Sequence, residues 1–347
     1  MATAFPSTLT VQHWAETTFL EMKEKLFFAE KGMMGGADQI IHEITELKNN
    51  PGDQVTFQLL MKIDGGGVSG DSQLEGNEET LTYYTDSVTV DLLRNAIEEP
   101  GQMAQKRVRP NARKQSRTTL STWDAERTER AILKHMVGDT SETFPAVALA
   151  PSTNRHIFAG TASAESALTA NQVHRMTLEE VSRVKNDALT ADLPLRPLKI
   201  GGEEIFVMLM HPWQIYNMKW GGTGTVSAQW RQAQEQARER GGSNPLFTGA
   251  VGMWDGVVIH EHRMLPIFTT GSGSTTVIRA PLLGQNAISL AFGSAPFWNE
   301  RIIDYDNRRG VSYGKIWGVK KAVFNSEDYG VFVVSTQAQA PSGTAHS

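Results

Sequence analysis

Two runs of apolar residues at every second position, separated by a stretch that suits neither helix nor strand, constrain this chain more than any other feature. Val55, Phe57, Leu59, Met61 and Ile63 alternate through DQVTFQLLMKI, which gives a strand one apolar face. Residues 64–79, DGGGVSGDSQLEGNEE, are mostly Gly and short polar side chains. LTYYTDSVTVDLL at 81–93 then reads as a second strand. The pair forms a long β-hairpin with a flexible tip, each arm reaching ~35 Å at ~3.3 Å per residue. A lone two-stranded ribbon is only marginally stable in water. Its apolar face therefore needs a cover, and the surrounding sequence offers no obvious one. The expected wall is a neighbouring subunit.

Charge is segregated around this hairpin. Between 64 and 91 stand Asp64, Asp71, Glu75, Glu78, Glu79, Asp86 and Asp91, with no Lys or Arg. Between 101 and 123 stand Lys106, Arg107, Arg109, Arg113, Lys114 and Arg117, with no acid. Taken singly, each run reads as a solvated face. Taken together, they are complementary surfaces that would meet across a subunit boundary. The basic run lacks the interleaved aromatics that stack on bases, so sequence-specific or single-strand recognition is not expected. It would still screen the phosphates of packed nucleic acid non-specifically.

The remaining elements follow from period and punctuation. QHWAETTFLEMKEKLFF spaces Trp14, Leu20 and Phe27 near a helical repeat. In DQIIHEITEL, Ile40, Ile44 and Leu47 fall on one face of a second, short helix, which Asn49-Asn50-Pro51-Gly52 stops. Residues 111–137 hold no Gly or Pro and place Leu120, Trp123, Ile132, Leu133 and Met136 for a long helix ended by Gly138. TFPAVALA and NRHIFAG read as extended segments between small-residue turns. Thr177 and Glu180 open a further helix as a capping box. EEIFVMLM is a buried strand with His211-Pro212 as its exit, and VSAQWRQAQEQARER is a polar helix. Asp255-Gly256 is a turn feeding a strand through Val257–His262. KIWGVKKAVF and YGVFVVST are late strands, and QAQAPSGTAHS is an unstructured tail.

Candidate chemistry is sparse. With no cysteine in 347 residues, a disulfide framework, a zinc ribbon and a thiol nucleophile are excluded. His260 and His262 share one strand face and invite a metal, which would make the chain a metal-dependent hydrolase. A zinc site needs a third ligand that no HExxH supplies, so a pair of surface histidines is the plainer reading. Asp304 and Asp306 resemble the start of a calcium loop, but the later Gly and Glu are missing and Arg308 and Arg309 stand among the positions for oxygen donors. A turn is expected there. The Gly-rich runs 64–70, 221–224 and 269–276 lack a Walker pattern and read as loops. No catalytic residue, cofactor or metal is called for. A net charge of −5 argues against a wholly basic nucleic-acid binder. Neither a signal peptide nor a membrane span is expected.

At three blocks the sequence resembles a known family. GDQVTFQLLMKIDGGGVSGDSQLEGNEETLTYY (52–84), FVMLMHPWQIYNM (206–218) and SNPLFTGAVGMWDGVVIHEH (243–262) are similar to the major capsid proteins of tailed phages, above all the group typified by coliphage N-four. LEGNEE at 74–79 and NPLFTGAVGMWDGVVIHEH at 244–262 weigh most.

The resemblance implies an α+β Hong Kong 97-type capsid fold. Residues 1–50 would form an N-terminal arm and 51–93 the extended loop. Residues 94–194 would form a peripheral domain with spine helix 111–137, 195–300 an axial domain, and 301–347 the returning peripheral strands and tail. It implies a self-assembling shell of hexamers and pentamers enclosing double-stranded DNA, built in the bacterial cytoplasm with portal and scaffolding or decoration partners and no membrane. The expected inter-subunit residues are Val55, Phe57, Leu59, Met61, Leu74, Glu75, Glu78, Glu79, Tyr83 and Tyr84. Lys106, Arg107, Arg109, Arg113, Lys114 and Arg117 would face the interior. An encapsulin-like shell enclosing protein cargo is the alternative on the same fold.

Overall fold

A computed structural model describes residues 7–340 except 37, 49–50, 62, 64, 72, 108–111, 201, 221–249 and 306. The polar helix expected at 226–240, the Gly run 221–224, Asp64, Arg109, Asp306 and most of the tail lie outside the described residues, as does the side chain of Arg113.

Two sheets share one long helix. The smaller is organised on the strand Arg308–Lys321, which pairs antiparallel with Asp91–Glu98, Ile288–Phe292 and Phe297–Ile303. Ile288–Phe292 continues into Ile41–Ile44 and Met34–Gly35 through parallel pairing. The larger sheet runs His156–Phe158, Val331–Gln337, Val277–Leu283, Glu203–Met210, Val257–Glu261, Gly252–Trp254, with Leu198–Ile200 and Ile267–Phe268 added at its sides. Val331–Gln337, expected among the strands returning after residue 300, thus pairs with Val277–Leu283 in the larger sheet. Ile288–Phe292 goes the other way.

The long helix spans Ala112–Val137. Its C-terminal half buries Ile132, Leu133 and Met136 against Val207, Leu209 and Val331 of the larger sheet and Leu290, Trp317 and Val319 of the smaller. Helix Leu178–Thr190 covers the larger sheet's other face, setting Val181 and Val184 on Met208, Ile259 and Phe332. Cover on both faces explains why EIFVMLM reads as a continuous apolar run rather than an alternation. Each fully buried side chain of this kind contributes about 1.5–3 kcal/mol.

Local chemistry sets the element ends. Gly138 stops the long helix at φ +68°, a conformation that favours Gly, and a Cβ there would lie 2.5 Å from Pro151. Arg279 donates to the Val137 and Gly138 carbonyls at 3.1 and 2.9 Å, satisfying the negative end of the helix. Glu165 holds that arginine at 2.6 Å. Burial pushes the Glu165 carboxyl up, but hydrogen bonds from His156, Arg279 and Ser335 outweigh it and hold the group below the carboxylate range. Thr177 caps its helix as expected, accepting from the Glu180 amide at 3.3 Å. The Glu180 carboxylate turns instead to the Gly160 amide, 2.9 Å away, and to Arg183.

Two expected elements differ. Residues 40–47 are not a helix: Ile41–Ile44 is a strand, followed by a single 3-10 turn at Glu46–Lys48. Ile40, Ile41 and Ile44 are all buried, and parallel pairing to Ile288–Phe292 outweighs the helical spacing. TFPAVALA is irregular rather than extended into a sheet.

Candidate assembly surface

The hairpin is present, shorter than its pattern promised. Gln54–Leu60 pairs with Tyr83–Thr89 from Gln54↔Thr89 to Leu60↔Tyr83, and one further bond joins the Met61 amide to the Thr82 carbonyl. Seven residues give an arm of about 23 Å rather than ~35 Å. The second apolar run is divided: after Val90 the chain enters Asp91–Glu98 and pairs with the long strand instead.

Its base has a wall, and the wall is its own chain. Val55 and Val88 are buried with Ile44, Leu47 and Ala291. Phe57 meets Phe324 edge-to-face at 5.9 Å, and Leu59 and Tyr84 pack on the same Ala322–Phe324–Tyr329 cluster. The strand crosses so close that a Cβ on Gly318 would stand 2.1 Å from the Thr89 carbonyl oxygen. Asp86, one of the seven acids, is ion-paired to Lys320 and accepts from the Val323 amide at 3.0 Å. The expectation that a neighbouring copy covers the whole apolar face is therefore corrected for Val55, Phe57, Leu59 and Tyr84. Sequence proximity gave no sign of it, because Phe324 and Tyr329 lie far along the chain.

Beyond Leu60 the situation reverses. Leu60, Ile63, Leu74, Leu81 and Tyr83 are 52–62% exposed, and Met61 is half-buried. Leu74–Asn77 closes a turn through the Asn77 amide and the Leu74 carbonyl, and Glu78 accepts from the Gly76 amide at 2.8 Å. Asp71, Glu75, Glu78 and Glu79 are exposed. The distal hairpin thus carries large apolar side chains among acids.

The basic segment is split. Gln102–Arg107 is a short helix on which Lys106 and Arg107 are exposed, and Lys114 is exposed at the start of the long helix. Arg117 is not a free surface charge. It pairs with Glu21 of the first helix, Ser7–Lys25, at 2.6 Å.

The histidine pair is not at the surface either. His260 and His262 are 1% and 6% exposed. Phe27 stands edge-on to both, with ring centres 5.7 and 4.9 Å away. His262 Nε2 lies 2.7 Å from a Glu129 oxygen, while its Nδ1 accepts from the Met264 amide at 3.2 Å. Both ring nitrogens are engaged, leaving no lone pair for a metal ion. Among the described residues, no three His, Asp or Glu side chains are grouped to hold one. Asp304 and Tyr305 form the expected turn. Among the described residues no helix is long and apolar enough to cross a membrane.

The long helix also carries a buried charge that its pattern concealed. Asp124 meets Lys315 of the long strand at 2.7 Å, with both side chains at or below 1% exposure, and Lys315 donates to Thr128. Burial lowers the Lys315 ammonium's pKa, and Asp124 opposes the shift. Lys321 and Asp328 form a second such pair at 2.7 Å.

The hairpin is thus rooted in its own subunit and bare and apolar at its end. The chain matches the phage capsid protein family over residues 2–340. It belongs to that family. It is 31% identical, over 87% of its length and 88% of the other's, to the major capsid protein of Pseudomonas phage KPP25. The fold is similar to the capsid of Ralstonia phage GP4, with a TM-score of 0.83, 27% identity and coverage of 92% and 93% of the two chains. The capsid of cyanophage Pam1 shares the fold at a TM-score of 0.72 and 22% identity, covering 88% and 90%. This capsid protein has the α+β Hong Kong 97-type fold. It is the structural subunit of a tailed-phage head, not an enzyme, and resides in the virion shell with copies of itself as partners.

Proposed function

We propose that the distal hairpin, residues 60–82, is the part of this capsid protein that reaches onto an adjacent copy in hexamers and pentamers. One observation carries the reading: apolar exposure begins where intrachain cover stops, at Leu60 opposite Tyr83. The contact residues are then Leu60, Ile63, Leu74, Leu81 and Tyr83, with Glu75, Glu78 and Glu79 supplying charge. The division into arm, extended loop, peripheral and axial parts follows the ranges above, with Val331–Gln337 assigned to the axial sheet. The shell encloses double-stranded DNA, assembles in the bacterial cytoplasm with portal and scaffolding or decoration proteins, and stands with the N-four-like group.

In this reading Lys106, Arg107 and Lys114 face the genome. Reversing all three to Glu leaves the subunit's melting temperature within about 2 °C, since exposed charges contribute little to folding. Particles purified from an infection complemented by the variant retain less DNA at low salt, and the deficit relative to wild type narrows as salt rises. DNA content per particle equal to wild type at every salt concentration assigns the segment to a solvated face and removes it from packaging.

A further inference from the structure

Two adjacent parallel strands, Glu203–Met210 and Val257–Glu261, end side by side in the same chemical device. The residue after each is a buried histidine, His211 and His262. The two exits are tied by the His262 amide, which donates to the Met210 carbonyl at 2.9 Å. In each, the ring Nδ1 accepts the backbone N–H two residues on, from Trp213 and from Met264, both at 3.2 Å. An imidazole accepts at Nδ1 only when that nitrogen carries no proton. Both turns therefore require neutral rings. Above them sit Phe27, edge-on to His262 at 4.9 Å, and Phe28, stacked on it at 6.3 Å, both in the N-terminal helix Phe27–Glu30.

We propose that His211 and His262 form an acid-sensitive joint, whose protonation breaks both strand-exit turns and releases the N-terminal helices from the larger sheet. Acid must place a proton on each Nδ1 where a backbone N–H already points, and it sets two cations beside one another away from water. The surroundings treat the two rings unequally. His262 faces Glu129 of the long helix, its Nε2 2.7 Å from a carboxylate oxygen. The cleft beside it, of about 500 Å³, is lined by Lys25, Glu126, Glu261 and Arg263, with His260 behind Phe27. Among the described residues His211 has Trp213, Gln214 and His262 around it and no carboxylate. Burial first, and then neighbouring His262, holds the His211 imidazole down at about 4. The closed joint thus binds fewer protons than the open one between about pH 6.5 and 4. Falling pH favours opening across that window, by up to about tenfold per unit for the His211 proton.

The test is amide hydrogen exchange of the full chain from pH 7 to 4.5, corrected for intrinsic rates and read at residues 26–32 and at Trp213 and Met264. Wild type loses at least tenfold protection there. His211→Asn and His262→Asn keep an oxygen to accept the same N–H but do not titrate, so the double variant changes less than twofold. Flat wild-type protection overturns the proposal, as does an equal loss in the double variant. Should the double variant not fold, His211→Asn alone must at least halve the logarithmic loss, and an unchanged loss again overturns it. His135, held at about 4 by burial within the long helix, titrates alike in all variants and cancels.

Discussion

Deleting residues 64–77 leaves a subunit that folds normally and stops closed shells from forming. The described residues of the deleted segment are irregular and all but Val68 are exposed, whereas the hairpin base keeps Val55, Phe57 and Leu59 on Leu47, Ala291 and Phe324. The melting temperature of the free subunit should stay within about 2 °C of wild type, because almost no buried area is removed. Assembly loses the burial of Leu74 against a neighbour, about 1.5–3 kcal/mol per contact. That weakens each contact by roughly 10- to 150-fold. Sedimentation and electron microscopy of the variant check the outcome. Closed shells formed at wild-type protein concentration would show that the tip takes no part in assembly.

The second large effect lies in the core. Replacing Lys315 by Met strands the Asp124 carboxylate between the long helix and the long strand, at a cost of about 3–5 kcal/mol. The expected drop in melting temperature is roughly 4–7 °C for a chain of this size. Restoring balance by also changing Asp124 to Leu recovers most of the loss, since a buried ion pair contributes little net stability over apolar packing. The Tyr313 phenol beside the pair is held above its ordinary range by burial first and by Asp124 second. Thermal melts of the two single variants and the double close the cycle. A double variant as unstable as Lys315→Met would show that the pair fixes the helix on the strand by geometry rather than by mutual neutralisation.

What the chain disclosed in one dimension follows from what repeats locally. The long helix showed itself because 112–137 carries no breaker and Gly138 stands where the backbone must turn left-handed. Strands Glu203–Met210, Val257–Glu261 and Val331–Gln337 showed themselves as apolar runs of strand length. Ile40, Ile41 and Ile44 misled because their spacing suits both a helix face and a strand buried on two sides, and only the pairing with Ile288–Phe292 decides. Charged residues misled more. Asp86, Arg117, Asp124 and Lys315 look like solvated positions in any window, and their partners Lys320, Glu21 and each other come from distant segments. His211 and His262 were hidden for the same reason, since a polar ring within an apolar strand end gives no sign of the amide that engages it. The assembly surface was half visible. The alternation located the hairpin, but which part its own chain covers depends on Phe324 and Tyr329, placed there by the fold alone.

The claim on which the rest depends is that one copy's hairpin end is sheltered by another copy, and amide exchange compared between assembled particles and dissociated subunits tests it most directly. Residues 54–59 should be protected in both states, and residues 60–82 should exchange freely in the subunit but at least tenfold more slowly in the shell. Equal, rapid exchange of 60–82 in both states would contradict it.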